Sequence, residues 1–355
     1  NRSKINMMSY KNGKGILSQL SERRLEITIF IIIILAEFLI YGITKIQPQN
    51  HFYDEPQPAH KEIESYKEGN SHYLYRKLKF DPNKDEIFII LHIQKTGGTN
   101  FESRLVKTLN VSPSCVCQPE ERRCECLNKN GHVWIVSGQF SLKWSCRVHA
   151  DWTELNGCID RYFDRSEGLH RNRSYLYITI LREPIQRYVS EWMAVQRGAR
   201  WSRNKIQCNG QIIKELPACY ETHWRHVKLD DFINCPHSLA INRQTRMLAN
   251  LSLVDCYNTS TIPKPERDRI MLESAKNNLR NMAYFGLTEY QELNQHLFEF
   301  TFGVNFTKDF SQNLTTYANG AKNVISSSQL KRIKELNNLD IKLYKYAKKL
   351  YFQRL

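Results

Sequence analysis

At 355 residues, with 41% hydrophobic, 11% aromatic and 25% charged residues, the chain can bury a core of its own. That excludes a wholly disordered, collagenous or multi-span membrane protein. Its 51 Lys+Arg against 36 Asp+Glu leave a net charge of +15, which favours an anionic partner: nucleic acid, a phosphate-bearing cofactor, acidic lipid or acidic glycan.

Residues 1–24 form a short basic tail. The apolar run Ile27–Ile43 follows, broken only by Thr28 and Glu37. Taken as 25–44, it is long enough to span a hydrocarbon core of ~30 Å. Arg2, Lys4, Lys11, Lys14, Arg23 and Arg24 precede it, and a segment of mixed charge follows. The positive-inside bias therefore predicts a single type II span with the C-terminal part in the lumen. The other reading is a cleaved signal peptide, against which stand the length of the run and the lack of a small-residue cleavage site after it. Residues 45–78, polar and rich in His, Glu, Pro and Tyr, read as a stem, and 79–355 as the globular domain. The first 44 residues hold six of the basic and three of the acidic residues, so the positive surplus belongs mostly to the luminal part. Ten cysteines and six sequons beyond the span (at Asn110, Asn172, Asn250, Asn258, Asn305 and Asn313) agree with an oxidising, luminal setting.

Glu86–Ile93 is an apolar, β-branched run and reads as a buried parallel strand. It leads directly into Gln94-Lys95-Thr96-Gly97-Gly98-Thr99 and a helix through Leu109. Gly97 and Gly98 let the backbone approach an anion, and Thr99 is placed to cap a helix whose free N–H groups and dipole favour phosphate or sulfate. Lys95 supplies a cation. The order differs from G-x-x-x-x-G-K-[ST], because here the lysine precedes the glycines.

Cys115-x-Cys117 and Cys124-x-Cys126 admit a metal site or disulfides. The spacing is tight for zinc and the compartment is oxidising, so disulfides are expected, with Cys146, Cys158, Cys208, Cys219, Cys235 and Cys256 completing an even set. Their connectivity stays open.

A second strand, Tyr175–Leu181, ends in Arg182, with Pro184 suited to the first turn of the next helix. Arg182 at the strand end and Ser190 two turns later are expected to reach one phosphate. Read singly, they are a surface ion-pair residue and a small helix residue. Read with the first unit, they share one crevice at the strand ends of one sheet. Arg197, Arg200, Arg203 and Lys205 surround Trp201 and suit a polyanion, or else form a solvated face. Arg243 and Arg246 fall on a helix and read as structural. Ser328–Arg354 carries apolar residues at helical spacing and predicts an amphipathic helix packed on the domain.

The motifs HIQKTGGT, CxC…CxC, WSCRVHADWTEL, ILREPIQRYVSEW, VQRGARW, NRQTRML, CYN, LESAKNNL and FGLTE occur in this order, and the chain from about Phe80 onward resembles the heparan sulfate 6-O-sulfotransferases. The resemblance implies an α/β sulfotransferase fold, a parallel sheet flanked by helices with a P-loop-like site for the donor 3′-phosphoadenosine 5′-phosphosulfate (PAPS). It also implies a Golgi membrane protein of single-pass type II topology, acting on heparan sulfate chains and not on nucleic acid. By that likeness His92, Ile93, Gln94, Lys95, Thr96, Gly97, Gly98, Thr99 and Asn100 hold the 5′-phosphosulfate, with Lys95 catalytic beside the leaving oxygen. Arg182 and Ser190 hold the 3′-phosphate, and Ser311, Gln312, Asn313, Tyr317 and Ala318 form a later donor-contact loop. His149 matches the general base. Arg122, Arg123, Gln139, Trp144, Ala194 and Trp201 fall at substrate positions. Gln139 and Tyr317 stand where the pattern has arginine, and Ala194 where it has histidine, which bears on sulfation pattern and donor affinity.

The chemistry agrees with this on its own terms. Sulfuryl transfer loads charge on peripheral oxygens, as phosphoryl transfer does, and needs cations and oriented N–H groups there. A base must take the hydroxyl proton, and an imidazole suits that task. Asp151 is a candidate to orient the ring. No metal is expected. Other readings are a sulfotransferase for a different glycan hydroxyl, an inactive heparan-binding protein of the same fold, and a kinase. The missing Walker A motif and magnesium carboxylates disfavour the last.

Overall fold

The structure is a computed structural model that describes residues 76–118, 123–201, 206–213, 216–220, 223–311 and 325–355. The expected span at 25–44 and most of the stem at 45–78 lie outside them. Among the described residues no helix is long and apolar enough to cross a membrane.

The strands are β1 (Glu86–Leu91), β2 (Leu109–Asn110), β3 (Val116–Gln118), β4 (Arg123–Glu125), β5 (Ile135–Val136), β6 (Ser174–Leu181), β7 (Gln207–Cys208), β8 (Gln211–Ile212), β9 (Tyr284–Leu287) and β10 (Asn305–Phe306). The helices are α1 (Gly98–Thr108), α2 (Trp152–Glu167), α3 (Pro184–Gln196), α4 (Leu229–Asn234), α5 (Arg243–Leu248), α6 (Lys264–Asn281), α7 (Gln291–Phe302), α8 (Ser327–Leu336) and α9 (Asn338–Arg354). Four strands form the central sheet in the order β5-β1-β6-β9, and every pair is parallel. β1 and β6, the two buried runs of the sequence, are adjacent, with Ile87 opposite Tyr175 and Leu91 opposite Thr179.

Side chains alternate across the sheet, so Tyr284 and Phe285, neighbours in β9, serve opposite faces. On one face α1 and α7 pack through Phe101, Phe298 and Phe302 against Phe88 and Tyr284. On the other, α2 stacks Phe163 on Tyr175, and α9 brings Tyr351 to Phe285. A smaller core joins Tyr188 and Trp192 of α3 to Phe232 of α4 and Ile333 of α8.

All ten cysteines pair: 115–126, 117–124, 146–158, 208–256 and 219–235. The CxC segments face each other across the β3–β4 hairpin, with Cys117 opposite Cys124, so the disulfide reading holds over zinc. The C-terminal helix expected as one piece breaks at Asn337. There the side-chain amide donates to the carbonyl of Ile333 at 2.9 Å and Oδ1 accepts from the N–H of Asn242 at 3.3 Å.

Candidate active site

β1, β6 and β9 end at one edge of the sheet, and their following loops, at 92–97, 182–183 and 288–290, share the crevice there. After β1 the chain turns at Gln94–Lys95 before entering α1. Lys95 (φ 68) and Gly97 (φ 82, ψ 7) are both left-handed, a conformation free for glycine and costing about 1–3 kcal/mol for a residue with a side chain. Gly97 is the N-cap of α1, so Thr99 lies inside the first turn and the expected threonine cap is corrected. The opening turn of α1 has no side-chain cap; the Asn100 N–H turns back to the Gly97 carbonyl at 3.1 Å, and the N–H groups before it and the dipole end remain for an anion. A Cβ on Gly98 would stand 3.2 Å from Cε1 of His92, so glycine is the residue that seats this turn on the ring.

Three ties hold the loop. The Thr96 hydroxyl donates to the Ile93 carbonyl at 3.0 Å. The Thr288 hydroxyl lies 2.5 Å from the Thr96 carbonyl and 2.9 Å from that of Leu181, at the end of β6. Nη1 of Arg182 donates to the Lys95 carbonyl at 3.3 Å. Gln244 of α5 fixes Arg182 in turn, accepting from its N–H at 2.9 Å and donating to its carbonyl at 3.0 Å.

Lys95 and Arg182 are thus held together with reduced hydration. Burial is the main cause that lowers the basicity of each. For Lys95 the charges of Arg197 and Arg182 add to it, while for Arg182 Glu289 and Glu183 oppose it. Among the described residues neither forms an ion pair, and Nε of Arg182 is buried with no partner. Crowded, partly desolvated cations of this kind gain from an arriving anion.

His149 completes the group. Its Nδ1 is 3.3 Å from the His92 carbonyl. A carbonyl only accepts, so in this bond Nδ1 carries the proton and the Nε2 lone pair is left for chemistry. The two rings meet edge to face at 4.9 Å, and Trp201 stands edge-on to His149 at 6.4 Å. Burial first, then the charge of His92, lowers the His149 pKa to about 3, so the ring is neutral in the free protein. A cleft lined by Gln94, Arg147, His149, Trp201, Arg243 and Tyr257 opens beside it, with Oε1 of Gln94 buried and unpartnered. Asp151 does not orient the imidazole. Its carboxylate caps α2 by accepting from the N–H of Glu154 at 2.9 Å and takes the Tyr257 hydroxyl at 3.1 Å.

The remaining expected residues divide. Ser190 is half-buried on α3, while Ala194, on the same helix, is buried and its carbonyl accepts from Ala199 at 3.0 Å. Trp144 donates its indole N–H to the Arg147 carbonyl at 2.8 Å and packs on Tyr162, an arrangement that fixes the His149 loop. Arg123 donates to the Ser141 carbonyl at 3.1 Å, tying the hairpin to the turn that exposes Gln139. Ser311 is exposed at the end of a described segment. Arg122, Arg203, Lys205, Gln312, Asn313, Tyr317 and Ala318 lie outside the described residues.

Sequence reasoning left Glu102, Thr288, Gln244 and Glu191 without roles. Three stand in motifs already visible, ILREPIQRYVSEW, NRQTRML and FGLTE, whose tertiary partners no local pattern announces.

The sequence matches the profile of the sulfotransferase family over residues 78–347. It is similar to heparan-sulfate 6-O-sulfotransferase 1 of Homo sapiens, at 48% identity over 287 residues, 79% of this chain and 69% of that protein. It is 46% identical over 286 residues to heparan-sulfate 6-O-sulfotransferase 1-B of Danio rerio, covering 79% and 70% of the two chains. Against heparan-sulfate 6-O-sulfotransferase 2 of Homo sapiens the identity is 46% over 287 residues, 79% of this chain and 47% of the relative.

Proposed function

The chain belongs to the heparan-sulfate 6-O-sulfotransferase family, and from that premise we propose that it transfers a sulfuryl group from PAPS to the 6-hydroxyl of glucosamine residues in heparan sulfate. The observation that carries the reading is that one loop bears both halves of the chemistry. The Lys95 carbonyl accepts from Arg182, and the His92 carbonyl, three residues earlier, accepts from His149.

In this reading the donor's 5′-phosphosulfate lies on the Lys95–Asn100 turn and its 3′-phosphate between Arg182 and Ser190. Nε2 of His149 takes the proton of the 6-hydroxyl as that oxygen bonds to sulfur. The bond from sulfur to the bridging oxygen breaks, Lys95 neutralises the charge left there, and 3′-phosphoadenosine 5′-phosphate departs. An arriving dianion raises the His149 pKa from its depressed value, making the ring a stronger base when the donor is bound. Trp201, with Arg197 and Arg200, borders the acceptor side, and the positive surplus draws in a polyanion with salt-dependent strength. We place the protein in the Golgi membrane through residues 25–44, with 45–78 as stem and 79–355 as the luminal domain.

The test incubates the full chain with labelled PAPS and N-sulfated heparan, then analyses the disaccharides, with His149→Ala alongside. Label at the 6-position that vanishes in the variant, with donor binding retained, is the expected result. Label at another hydroxyl rejects the regiochemistry. No label on any glycan, from folded protein that binds heparan, rejects the enzyme in favour of a binding protein.

A further inference from the structure

Glu102 lies one turn into α1 with its carboxylate fully buried. Such a group is costly unless hydrogen-bonded or paired, and beneath an anion-binding turn its charge opposes the ligand. Among the described residues its side-chain partners are two: Oε1 meets Nδ1 of His92, and Oε2 accepts from the hydroxyl of Ser137. Ser137 follows β5, and its oxygen already accepts from the N–H groups of Phe140 at 3.0 Å and Gln139 at 3.2 Å, so its single proton goes to Glu102. No lysine or arginine ion pair to this carboxylate is found among the described residues. Its position is explained by the ring it holds.

That ring touches both halves of the site. Its Cε1 and Nδ1 form the floor on which Gly98 sits, 3.2 and 3.3 Å from where a Cβ would be. Its edge-to-face contact with His149 is 4.9 Å at 70°. The carbonyl of the same residue fixes the His149 tautomer. Rotation of the His92 ring would shift the base against the donor turn.

We propose that Glu102 is a positioning residue for the transfer reaction: through His92 it holds the His149 ring in register with the donor turn. The proposal rests on the reading of His149 as the base. A carboxylate that only filled the core would affect stability, donor binding and turnover alike. A positioning role lowers kcat while the donor still binds, because a displacement of about 1 Å at the reacting atoms is enough.

The experiment uses the full chain as Glu102→Gln, which keeps the shape but not the charge, with Ser137→Ala to loosen the far carboxylate oxygen and His149→Ala as control. Turnover on N-sulfated heparan, KM for PAPS, the Kd of 3′-phosphoadenosine 5′-phosphate and melting temperature are measured. Glu102→Gln is expected to lose about 10–100-fold in kcat with the Kd within about threefold of wild type, and Ser137→Ala to lose less in the same direction. Wild-type kcat in Glu102→Gln overturns the proposal, as does a parallel loss of kcat, product affinity and melting temperature. If Glu102→Gln does not fold, wild-type kcat in Ser137→Ala overturns it. An inactive His149→Ala that still binds the nucleotide keeps the base reading whichever way Glu102 falls. An active one removes the base reading, and this proposal with it.

Discussion

Nδ1 of His149 donates to the carbonyl of His92 across 3.3 Å, which places the free lone pair of the ring on Nε2. The neutral state follows from burial, which lowers the pKa to about 3. An unfolded histidine titrates near 6.5, so the folded chain binds fewer protons as pH falls. The stability His149 contributes is therefore present above about 6.5 and lost progressively toward about 3. In the free protein the His149 Cε1–H resonance should show no midpoint between pH 5 and 8. Saturating 3′-phosphoadenosine 5′-phosphate should move its pKa upward. Proton–carbon correlation spectra, assigned with His149→Asn, would check this, and a midpoint near 6.5 in the free chain would contradict it.

Lys95 combines a charge the proposed reaction needs with a backbone conformation its side chain disfavours, φ 68. Strain of this kind persists where function requires the residue. Lys95→Gly should therefore separate stability from activity: a melting temperature no lower than wild type, with transfer reduced about 10²-fold or more as the cation is lost. Calorimetry and single-turnover transfer decide it. A marked drop in melting temperature would mean that the side chain packs rather than acts.

Both central strands were legible from their apolar, β-branched runs, and so were the glycine turn after β1 and the strand-end position of Arg182, whose residue types are tied to backbone position. Pro184 at the start of α3 was readable for the same reason. Glu102 was not, since an acidic residue in a helix gives no sign that its face is buried, and Ser137 meets it from 35 residues away. The Asp151 expectation failed because a capping aspartate and a ring-orienting one look alike in sequence, and only the Glu154 N–H and Tyr257 hydroxyl distinguish them. The helix break at Asn337 depends on Asn242, which lies 95 residues earlier.

Thr288 ties the donor loop to β6 through one hydroxyl facing the carbonyls of Thr96 and Leu181, and its methyl group lies 3.6 Å from where a Gly97 Cβ would be. Thr288→Val keeps the shape and leaves the Thr96 carbonyl without that donor, while the Leu181 carbonyl still accepts from the backbone N–H at 288 at 2.8 Å; the lost hydrogen bond costs about 1–3 kcal/mol. In the proposed function the loop holds the donor, so KM for PAPS should rise about 5–100-fold with a smaller change in acceptor KM. Thr288→Ser restores the hydroxyl and should recover most of the affinity. Equal defects in Val and Ser variants would assign the effect to packing of the methyl group.

Glu191 anchors the far wall of the cleft. It is buried on α3, taking Nη1 of Arg187 at 2.5 Å and Nε of Arg243 at 2.7 Å, with Nη2 of Arg243 on its other oxygen. Burial alone would raise its pKa, yet Arg243 and Arg187 outweigh burial and hold it near 2. Removing the carboxylate leaves Arg243 without its ion pair and Arg187 with Asp340 at 4.0 Å as its remaining one, and breaking a buried pair in this way costs about 3–5 kcal/mol. Glu191→Ala should lower the urea midpoint accordingly, and Glu191→Gln, which keeps one acceptor, should fall between. Because the carboxylate pKa is depressed on folding, its contribution is present above about 4.5 and lost as pH falls toward about 2. The wild-type midpoint should therefore drop across that range more steeply than that of Glu191→Gln. Parallel pH profiles in the two proteins would show that the arginines find other partners.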